Sequence, residues 1–235
     1  MATLYAGTSG FAYPAWKPGF YPPDVPASRF LEHYATRLSG VEVNYTFRRS
    51  PSVTTLESWA DRTPPGFRFA VKAHQRITHW LRLKDAQEPT EFFLKALEPL
   101  RARERLGPVL LQLPPDLKRD DGRLAAYLAL LPRGLRFTVE FRHDSWFADE
   151  VYELLRERDV ALCLAESDSL AVPEVLTADF VYFRKRRSSY SPADVERIAA
   201  RSRDLLATGR DVFVFFKHED DPAGALDAER LLTAG

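Results

Sequence analysis

Cysteine is almost absent from this chain of 235 residues, and long apolar runs are absent altogether. The one cysteine, Cys163, lies inside the apolar run Val160–Leu164. A single cysteine cannot form a disulfide within the chain, which favours a reducing compartment. The N-terminus lacks a basic stretch followed by an apolar one, and no apolar run approaches the ~18 residues of a membrane-spanning helix. We therefore expect a soluble, cytoplasmic protein that makes no membrane contact.

An excess of charge of either sign is also missing. Lysine and arginine together number 33, as do aspartate and glutamate, so the formal net charge is zero. A protein that binds nucleic acid through an overall basic surface is therefore not indicated, although a local basic patch would still permit such binding. The composition leaves a nucleic-acid partner open and does not indicate an oligomeric state.

Several familiar motifs do not occur. The sequence contains no Gly-x-Gly-x-x-Gly, no P-loop, no Gly-x-Ser-x-Gly, no His-Glu-x-x-His and no cysteine cluster. Nothing therefore supports a Rossmann dinucleotide site, a Walker-type nucleotide site, an α/β-hydrolase nucleophile or a zinc site. Chemistry alone would allow Glu42, Glu140, Asp168 or His218 to bind a divalent metal, but their spacing gives no support. We predict no metal site and assign no cofactor.

What the chain does contain is eight short apolar runs that alternate with amphipathic, helix-like segments. Parallel strands need crossover connections, and helices supply them. Eight such units, with no linker or compositional break between them, predict a single (β/α)8 TIM-like barrel over residues 1–235, with its site at the C-terminal ends of the strands. The predicted strands are Thr3–Thr8, Val41–Tyr45, Phe67–Val71, Val109–Leu113, Arg136–Phe141, Val160–Leu164, Phe180–Phe183 and Asp211–Phe216.

Two carboxylates interrupt predicted strands. Side chains two residues apart on a strand share a face, so Glu42 and Asn44 point the same way, as do Glu140 and Arg142. A carboxylate among valine and phenylalanine must be paired or hydrogen-bonded, because an isolated buried charge is costly. Glu140 and Arg142 form either a structural ion pair or a catalytic carboxylate beside an anion-binding guanidinium, and the sequence leaves both readings open.

Basic side chains stand at two other strand ends. Lys72 ends the third strand, where a lysine can bind anions, act as a base when desolvated, form a Schiff base or simply be solvated. Arg184 opens the most basic stretch of the chain, which runs to Arg187. Such a run is often a solvated surface, but at a barrel mouth it also fits an anion-binding loop.

An ordered set of motifs resembles the YecE-like family, whose members carry a domain of unknown function. The resemblance implies a TIM-like barrel, found mostly in bacteria and archaea, and leaves the reaction open. It rests on Gly7-Thr8-Ser9-Gly10-Phe11-x-Tyr13-x-x-Trp16, Phe20-Tyr21-Pro22, Val41-Glu42-Val43-Asn44-x-Thr46-Phe47, Thr63-Pro64, Phe67-x-Phe69-Ala70-x-Lys72, Ile77-Thr78-His79, Gly107-Pro108, Gln112-Leu113-Pro114-Pro115 and Glu140-x-Arg142-x-x-Ser145-Trp146.

The resemblance also implies a set of mouth residues. Three departures make this chain more basic: Arg48 stands where the family often has tyrosine, Arg186-Arg187 replace His-Gly, and Lys217-His218 replace Asn-Asn. We assign catalytic roles to Glu42, Lys72, His79 and Glu140. The substrate-binding residues carried over are Ser9, Asn44, Thr46, Arg49, Gln112, Arg142, Ser145, Trp146, Arg184 and Tyr190, and Thr78 lies among them.

Three functional hypotheses follow. The first is an isomerase- or hydrolase-type enzyme that acts on a small anionic, phosphorylated or sugar-like substrate, with Glu140 or Glu42 as the general acid/base. The second is a nucleic-acid binding or processing protein that uses the basic strand-seven loop together with Phe183 and Tyr190. The third is a binding or regulatory barrel without chemistry. We rank them in that order. The fold by itself does not assign a function.

Overall fold

The computed structural model describes residues 1–166, 172–217 and 221–233. Its strands are β1 (Leu4–Thr8), β2 (Gly40–Val43), β3 (Arg68–Lys72), β4 (Leu106–Gln112), β5 (Phe137–Glu140), β6 (Val160–Glu166), β7 (Phe180–Lys185) and β8 (Asp211–Phe216). Its helices are α1 (Phe30–Arg37), α2 (Val53–Asp61), α3 (Gln87–Ala96), α4 (Glu98–Ala102), α5 (Asp121–Leu130), α6 (Asp149–Glu157), α7 (Pro192–Ala207) and α8 (Ala223–Thr233).

The eight strands form one parallel sheet that curls into a nearly closed barrel. Their order is β1-β8-β7-β6-β5-β4-β3-β2, and α-helices lie in the connections between strands, except that the described part of the connection from β6 to β7 contains none. Each predicted strand lies within three residues of an observed one at both ends, so the predicted TIM-like barrel is confirmed. In such a barrel the C-terminal strand ends share one mouth, which brings side chains from distant parts of the sequence together.

The barrel closes where β1 meets β2, and this seam has an unusual structure. Over their described residues the two strands share no ladder; instead the Ser39 amide donates to the Ala6 carbonyl at 3.2 Å. The Tyr34 hydroxyl from α1 accepts from the Thr8 amide at 2.8 Å and donates to the Gly40 carbonyl at 3.0 Å. The backbones approach so closely that a Cβ on Gly7 would lie 1.8 Å from the Gly40 oxygen. A tyrosine hydroxyl thus replaces part of the missing ladder.

Alternate strand residues separate into two buried layers, as the two-residue period of a strand requires. One layer packs against the helices. The other fills the barrel interior with side chains from several strands, including Tyr5, Cys163, Tyr182, Phe213 and Phe215. Toward the C-terminal end this interior changes from aromatic and aliphatic to polar and charged.

One helical segment differs from the sequence prediction. The pattern predicts one helix from Pro89 to Arg103, whereas the structure has α3 and α4 with a break at Leu97. Pro99 lies in the first turn of α4, and because it has no N–H it cannot bond to a carbonyl in the preceding turn. Among the described residues, no helix is long and apolar enough to cross a membrane.

Candidate active site

A buried ion network occupies the barrel interior below its C-terminal mouth. The Arg184 guanidinium on β7 donates to both carboxylate oxygens of Glu42 on β2, from Nε at 2.8 Å and from Nη2 at 2.7 Å. Its Nη1 donates to Glu140 on β5. All three side chains are almost completely inaccessible to solvent. We call Glu42, Arg184 and Glu140 the buried triad. The positive charge of one arginine thus faces two carboxylates, Glu42 and Glu140, that lie far apart in the sequence.

Further hydrogen bonds connect the buried triad to the next strands. β4 and β5 pair with Gln112 opposite Glu140, so the Gln112 amide reaches the Glu140 carboxylate at 2.9 Å. The Lys72 ammonium at the end of β3 donates to the Gln112 side-chain oxygen at 2.7 Å and lies 4.0 Å from the centre of the Phe47 ring. A chain of contacts therefore runs from β7 through β5 and β4 to β3.

On the other side, Glu42 has two more donors. The Tyr182 hydroxyl donates to it at 2.8 Å and the Asn44 side-chain amide at 3.2 Å. The Asn44 oxygen is buried and finds no hydrogen-bond partner among the described residues. Asn44 and Ser9 both line a cavity of about 270 Å³ between the loops that follow β1 and β2. The mouth thus contains a buried acceptor for which residues 1–166, 172–217 and 221–233 supply no donor.

The charges of the triad fix the protonation of Glu42. Burial alone would raise the pKa of this carboxyl group, but Arg184, Arg186 and the Tyr182 hydroxyl stabilise its charged form and lower the pKa to about 2. Burial opposes the charge on Arg184, yet the two carboxylates raise its pKa well above the usual value. Glu42 is therefore ionised at neutral pH.

Lys72 has the opposite behaviour. Burial and the nearby charges of Arg184 and Arg186 lower the pKa of its ammonium group to about 8, although Glu140 and Glu42 act in the other direction. At pH 7 about a tenth of this amine is unprotonated. His79 lies close by, its ring edge-on to Phe47 at 4.8 Å, and burial together with Lys72 and Arg142 lowers its pKa.

The basic stretch after β7 divides between two faces. Arg184 and Arg186 have the same parity on the strand; Arg184 joins the buried triad, and Arg186 donates to the Ser9 hydroxyl at 2.8 Å. Lys185 and Arg187 face the helices instead, where Glu166 bonds to both. Asp194 adds a second contact to Arg187 at 3.2 Å. The stretch is therefore not one continuous cationic surface.

The remaining predicted residues have different positions. Thr46 holds the end of β3 by donating to the Lys72 carbonyl at 2.6 Å, Thr78 bonds to the His79 ring at 2.9 Å, and Arg142 approaches Glu140 at 3.9 Å with its side chain half exposed. Four residues make their contacts away from the triad. These are Arg49, which is exposed; Ser145 and Trp146, which bond to the Arg119 amide and the Leu117 carbonyl; and Tyr190, which bonds to the Arg187 amide.

Sequence reasoning missed Tyr182 and Phe47, and it included Arg186 only as part of the basic stretch from Arg184 to Arg187. Tyr182 and Arg186 lie two positions before and after Arg184, so strand parity could have placed both beside it. Phe47 follows β2 in a short 3-10 turn, and its contact with Lys72 depends on the path of that turn, which no local pattern specifies.

Of the four residues that could bind a divalent metal on chemical grounds, only Glu42 and Glu140 lie within the described part of the chain. Asp168 and His218 lie outside the described residues. Within residues 1–166, 172–217 and 221–233, no group of three or more His, Cys, Asp or Glu side chains is arranged to hold a metal ion. Glu42 and Glu140 both direct carboxylate oxygens at Arg184.

Comparison with known proteins identifies the family of this chain. A family model described as "Protein of unknown function DUF72" matches residues 5–234. The UPF0759 protein YunF of Bacillus subtilis is 28% identical over 64% of this chain, and the UPF0759 protein YecE of Escherichia coli K12 is 30% identical over 62%. These alignments span about half of each relative, 54% and 50%.

Solved structures agree. The crystal structure of a DUF72 family protein from Thermotoga maritima superposes with a TM-score of 0.86 at 29% identity and covers 98% of both chains. The resemblance to the YecE-like family is thereby confirmed. With a family model that covers almost every residue, and a barrel that matches a solved member from end to end, this chain belongs to the DUF72 family.

Proposed function

We propose that this protein is an enzyme that performs acid/base chemistry, of isomerase or hydrolase type, on a small anionic substrate at the barrel mouth. The observation that carries the proposal is a surplus of positive charge there. Lys72, Arg142 and Arg186, which we call the mouth cations, surround the buried triad. Lys72 and Arg186 form no ion pair with a described carboxylate, and Arg142 has one distant contact. An anion would supply the missing charge.

The unpartnered Asn44 oxygen adds a second requirement. A buried acceptor without a donor costs free energy, and a substrate hydroxyl group would satisfy it. Asn44 also borders a cavity of about 270 Å³ between the loops after β1 and β2, whose lining includes Ser9, Phe11 and Trp59 but none of the mouth cations. The surplus of positive charge and the Asn44 acceptor together favour a phosphorylated or sugar-like substrate that carries both an anionic group and hydroxyls.

The geometry also suggests which groups move protons. Lys72, with a pKa of about 8, is the best proton acceptor of the cluster near neutral pH. Arg142 and Arg186 would stabilise negative charge that develops on the substrate. Glu42 would act as a fixed anion that positions Arg184. Glu140 accepts hydrogen bonds from Gln112 and Arg184, and Gln112 accepts one from Lys72, so a chain of hydrogen bonds links Glu140 to Lys72.

The experiment is thermal unfolding with a panel of phosphosugars, sugar acids and inorganic phosphate. A ligand present at about 100 times its Kd should add about 2.7 kcal/mol to the unfolding free energy. Arg142→Ala and Arg186→Ala should abolish the stabilisation, whereas Arg101→Ala, an exposed arginine on α4, should retain it. A panel without any stabilising anion, or equal stabilisation of all three variants, would contradict the proposal.

The alternative, a nucleic-acid protein that uses the loop after β7, has weaker support. Three of the four cations between residues 184 and 187 are paired with carboxylates. Phosphate contacts would have to displace these partners. Oligonucleotide binding whose affinity falls steeply with salt, and which is lost in Lys185→Ala with Arg187→Ala, would reverse this ranking.

A further inference from the structure

Lys72 has surroundings that differ from those of an ordinary binding lysine. A lysine that only binds an anion is best kept as a protonated ammonium, and a neighbouring carboxylate does this. Lys72 has an amide oxygen, that of Gln112, at 2.7 Å and the face of Phe47 at 4.0 Å, and it forms no ion pair with a described carboxylate. The site therefore holds the amine in place without an ion pair to a described carboxylate.

The nearby charged groups act in both directions. Arg184 and Arg186 disfavour a third positive charge at Lys72, whereas Glu140 and Glu42, which form no ion pair with it, favour that charge. Desolvation and a neighbouring cation are the two ways in which proteins activate a lysine amine as a nucleophile. The side chain is not sealed in the core, since Lys72 is only partly buried at the end of β3, where substrates enter a barrel of this type.

We propose that Lys72 is a nucleophile that forms an iminium (Schiff base) with the carbonyl group of an anionic aldehyde, ketone or keto acid. The inference rests on the proposed function, because it assigns the substrate class of the same site. Arg142 and Arg186 would hold the anionic group, and the Asn44 oxygen would accept from a hydroxyl.

The step balances without any further reactant. The free amine of Lys72 adds to the carbonyl carbon and a C–N bond forms; the proton that nitrogen loses passes to the carbonyl oxygen and gives a carbinolamine. A second proton, drawn from solvent, allows that oxygen to leave as water, and the nitrogen lone pair completes the C=N bond. His79, which shares the Phe47 ring with Lys72, is placed to carry these protons.

Reductive trapping tests the inference directly. The whole protein is treated with glyoxylate and cyanoborohydride at pH 7, and carboxymethyl-lysine is located by peptide mass spectrometry. Lys84 and Lys95, both exposed, are internal comparators in the same sample. An amine with the environment of Lys72 has about 200 times the unprotonated fraction of an exposed lysine at this pH, although each free amine is somewhat less nucleophilic. We expect labelling of Lys72 to be at least about tenfold faster.

Two further arms give the site its specificity. Glycolaldehyde, an uncharged aldehyde of similar size, should label Lys72 more slowly than glyoxylate does, and Arg186→Ala should remove that difference, with circular dichroism as the check on folding. Inorganic phosphate should protect Lys72 and leave Lys84 unaffected. Labelling of Lys72 no faster than that of Lys84 and Lys95 would overturn the inference.

The outcome separates the two proposals. If anions stabilise the protein through Arg142 and Arg186 but Lys72 shows no preferential labelling, then the proposed function stands and Lys72 acts without a covalent step. If neither result is obtained, both proposals fail. Preferential labelling without anion stabilisation would retain the nucleophile and remove the anionic requirement.

Discussion

A single side chain, Arg184, holds the centre of the barrel mouth together. It is the only described cation that bonds directly to both Glu42 and Glu140, and all three groups are removed from water. Ions of this kind are costly to bury, and the cost is recovered only while every partner is present. The triad therefore fixes the positions of two carboxylates in an otherwise aromatic interior.

Replacement of Arg184 by methionine should consequently destabilise the protein severely. Two buried carboxylates would lose their counter-charge, and breaking a buried ion pair in this way costs about 3–5 kcal/mol. Urea unfolding measures the change, and Arg101→Met on the surface of α4 is the matched control, expected to stay within about 0.5 kcal/mol of the wild type. Equal effects of the two substitutions would show that the triad is not energetically coupled.

Replacement of Lys72 by methionine should change stability in the opposite direction from replacement of Arg184. Its amine is charged at neutral pH at some cost, since the pKa is lowered to about 8, so Lys72→Met should raise the unfolding free energy by about 1 kcal/mol. The gain should shrink as pH rises above 8, because the wild-type side chain then becomes neutral in the folded state. Urea midpoints of the two proteins at pH 7 and pH 9.5 measure this, and a less stable methionine variant at pH 7 would contradict it.

Strand parity and burial explain what could be predicted at the scale of a residue. The sequence places Glu42, Glu140, Lys72 and Arg184 at strand ends, and a shared mouth then follows from the barrel. The sequence does not show which carboxylate forms an ion pair with which cation. The suspected pair of Glu140 and Arg142 is a contact of 3.9 Å, whereas the close partner of Glu140 is Arg184, 44 positions along the chain.

At the scale of elements, the seam between β1 and β2 is the least regular part of the barrel. Tyr34→Phe should remove the hydroxyl that accepts from the Thr8 amide and donates to the Gly40 carbonyl, and leave both groups buried without this partner. We expect a loss of about 2–3 kcal/mol in urea unfolding. Tyr127→Phe is the matched control, since its buried hydroxyl meets only the Thr90 hydroxyl at 3.2 Å among described partners, and it should cost about 1 kcal/mol.

A loss in Tyr34→Phe no greater than that in Tyr127→Phe would mean that the seam is held by the Ser39 contacts alone.

The sequence could not indicate that the Tyr34 hydroxyl bridges β1 and β2. Apolar periodicity predicts α1 and places Tyr34 on its buried face, but the pairing of strand edges depends on the curvature of the whole sheet. Strand and helix positions were predictable because each burial pattern is local. The break between α3 and α4 was missed because Pro99 falls within an otherwise continuous helical pattern.

At the scale of the whole molecule, zero net charge conceals an uneven distribution. Exposed arginines pair with carboxylates along the helices, while the mouth cations have no close carboxylate among the described residues. Composition alone therefore argued against a basic surface but could not reveal a local surplus of charge inside the barrel. Such a surplus arises only when strand ends distant in sequence converge, which is why the fold was predictable while the electrostatics of the site were not.

The unfolding free energy of the whole protein at acid pH should reveal the ionisation of Glu42 in the buried triad. The carboxyl group of Glu42 has a pKa of about 2 in the folded protein and about 4.3 when unfolded. As pH falls, the unfolded chain therefore binds this proton first, and the contribution of Glu42, about 3 kcal/mol, is complete above pH 5 and is lost between about pH 4.5 and pH 2. Urea unfolding at a series of pH values should show this fall in the wild type.

Glu42→Gln removes the titrating group, so its lower stability should depend less on pH over that interval, and the two curves should converge toward pH 2. Glu32→Gln, on the accessible side of α1, is the comparison, because an exposed ion pair contributes little and its curve should follow that of the wild type. If Glu42→Gln ran parallel to the wild type down to pH 2, Glu42 would not be the anion that Arg184 stabilises, and the arrangement from which both functional proposals start would have to be revised.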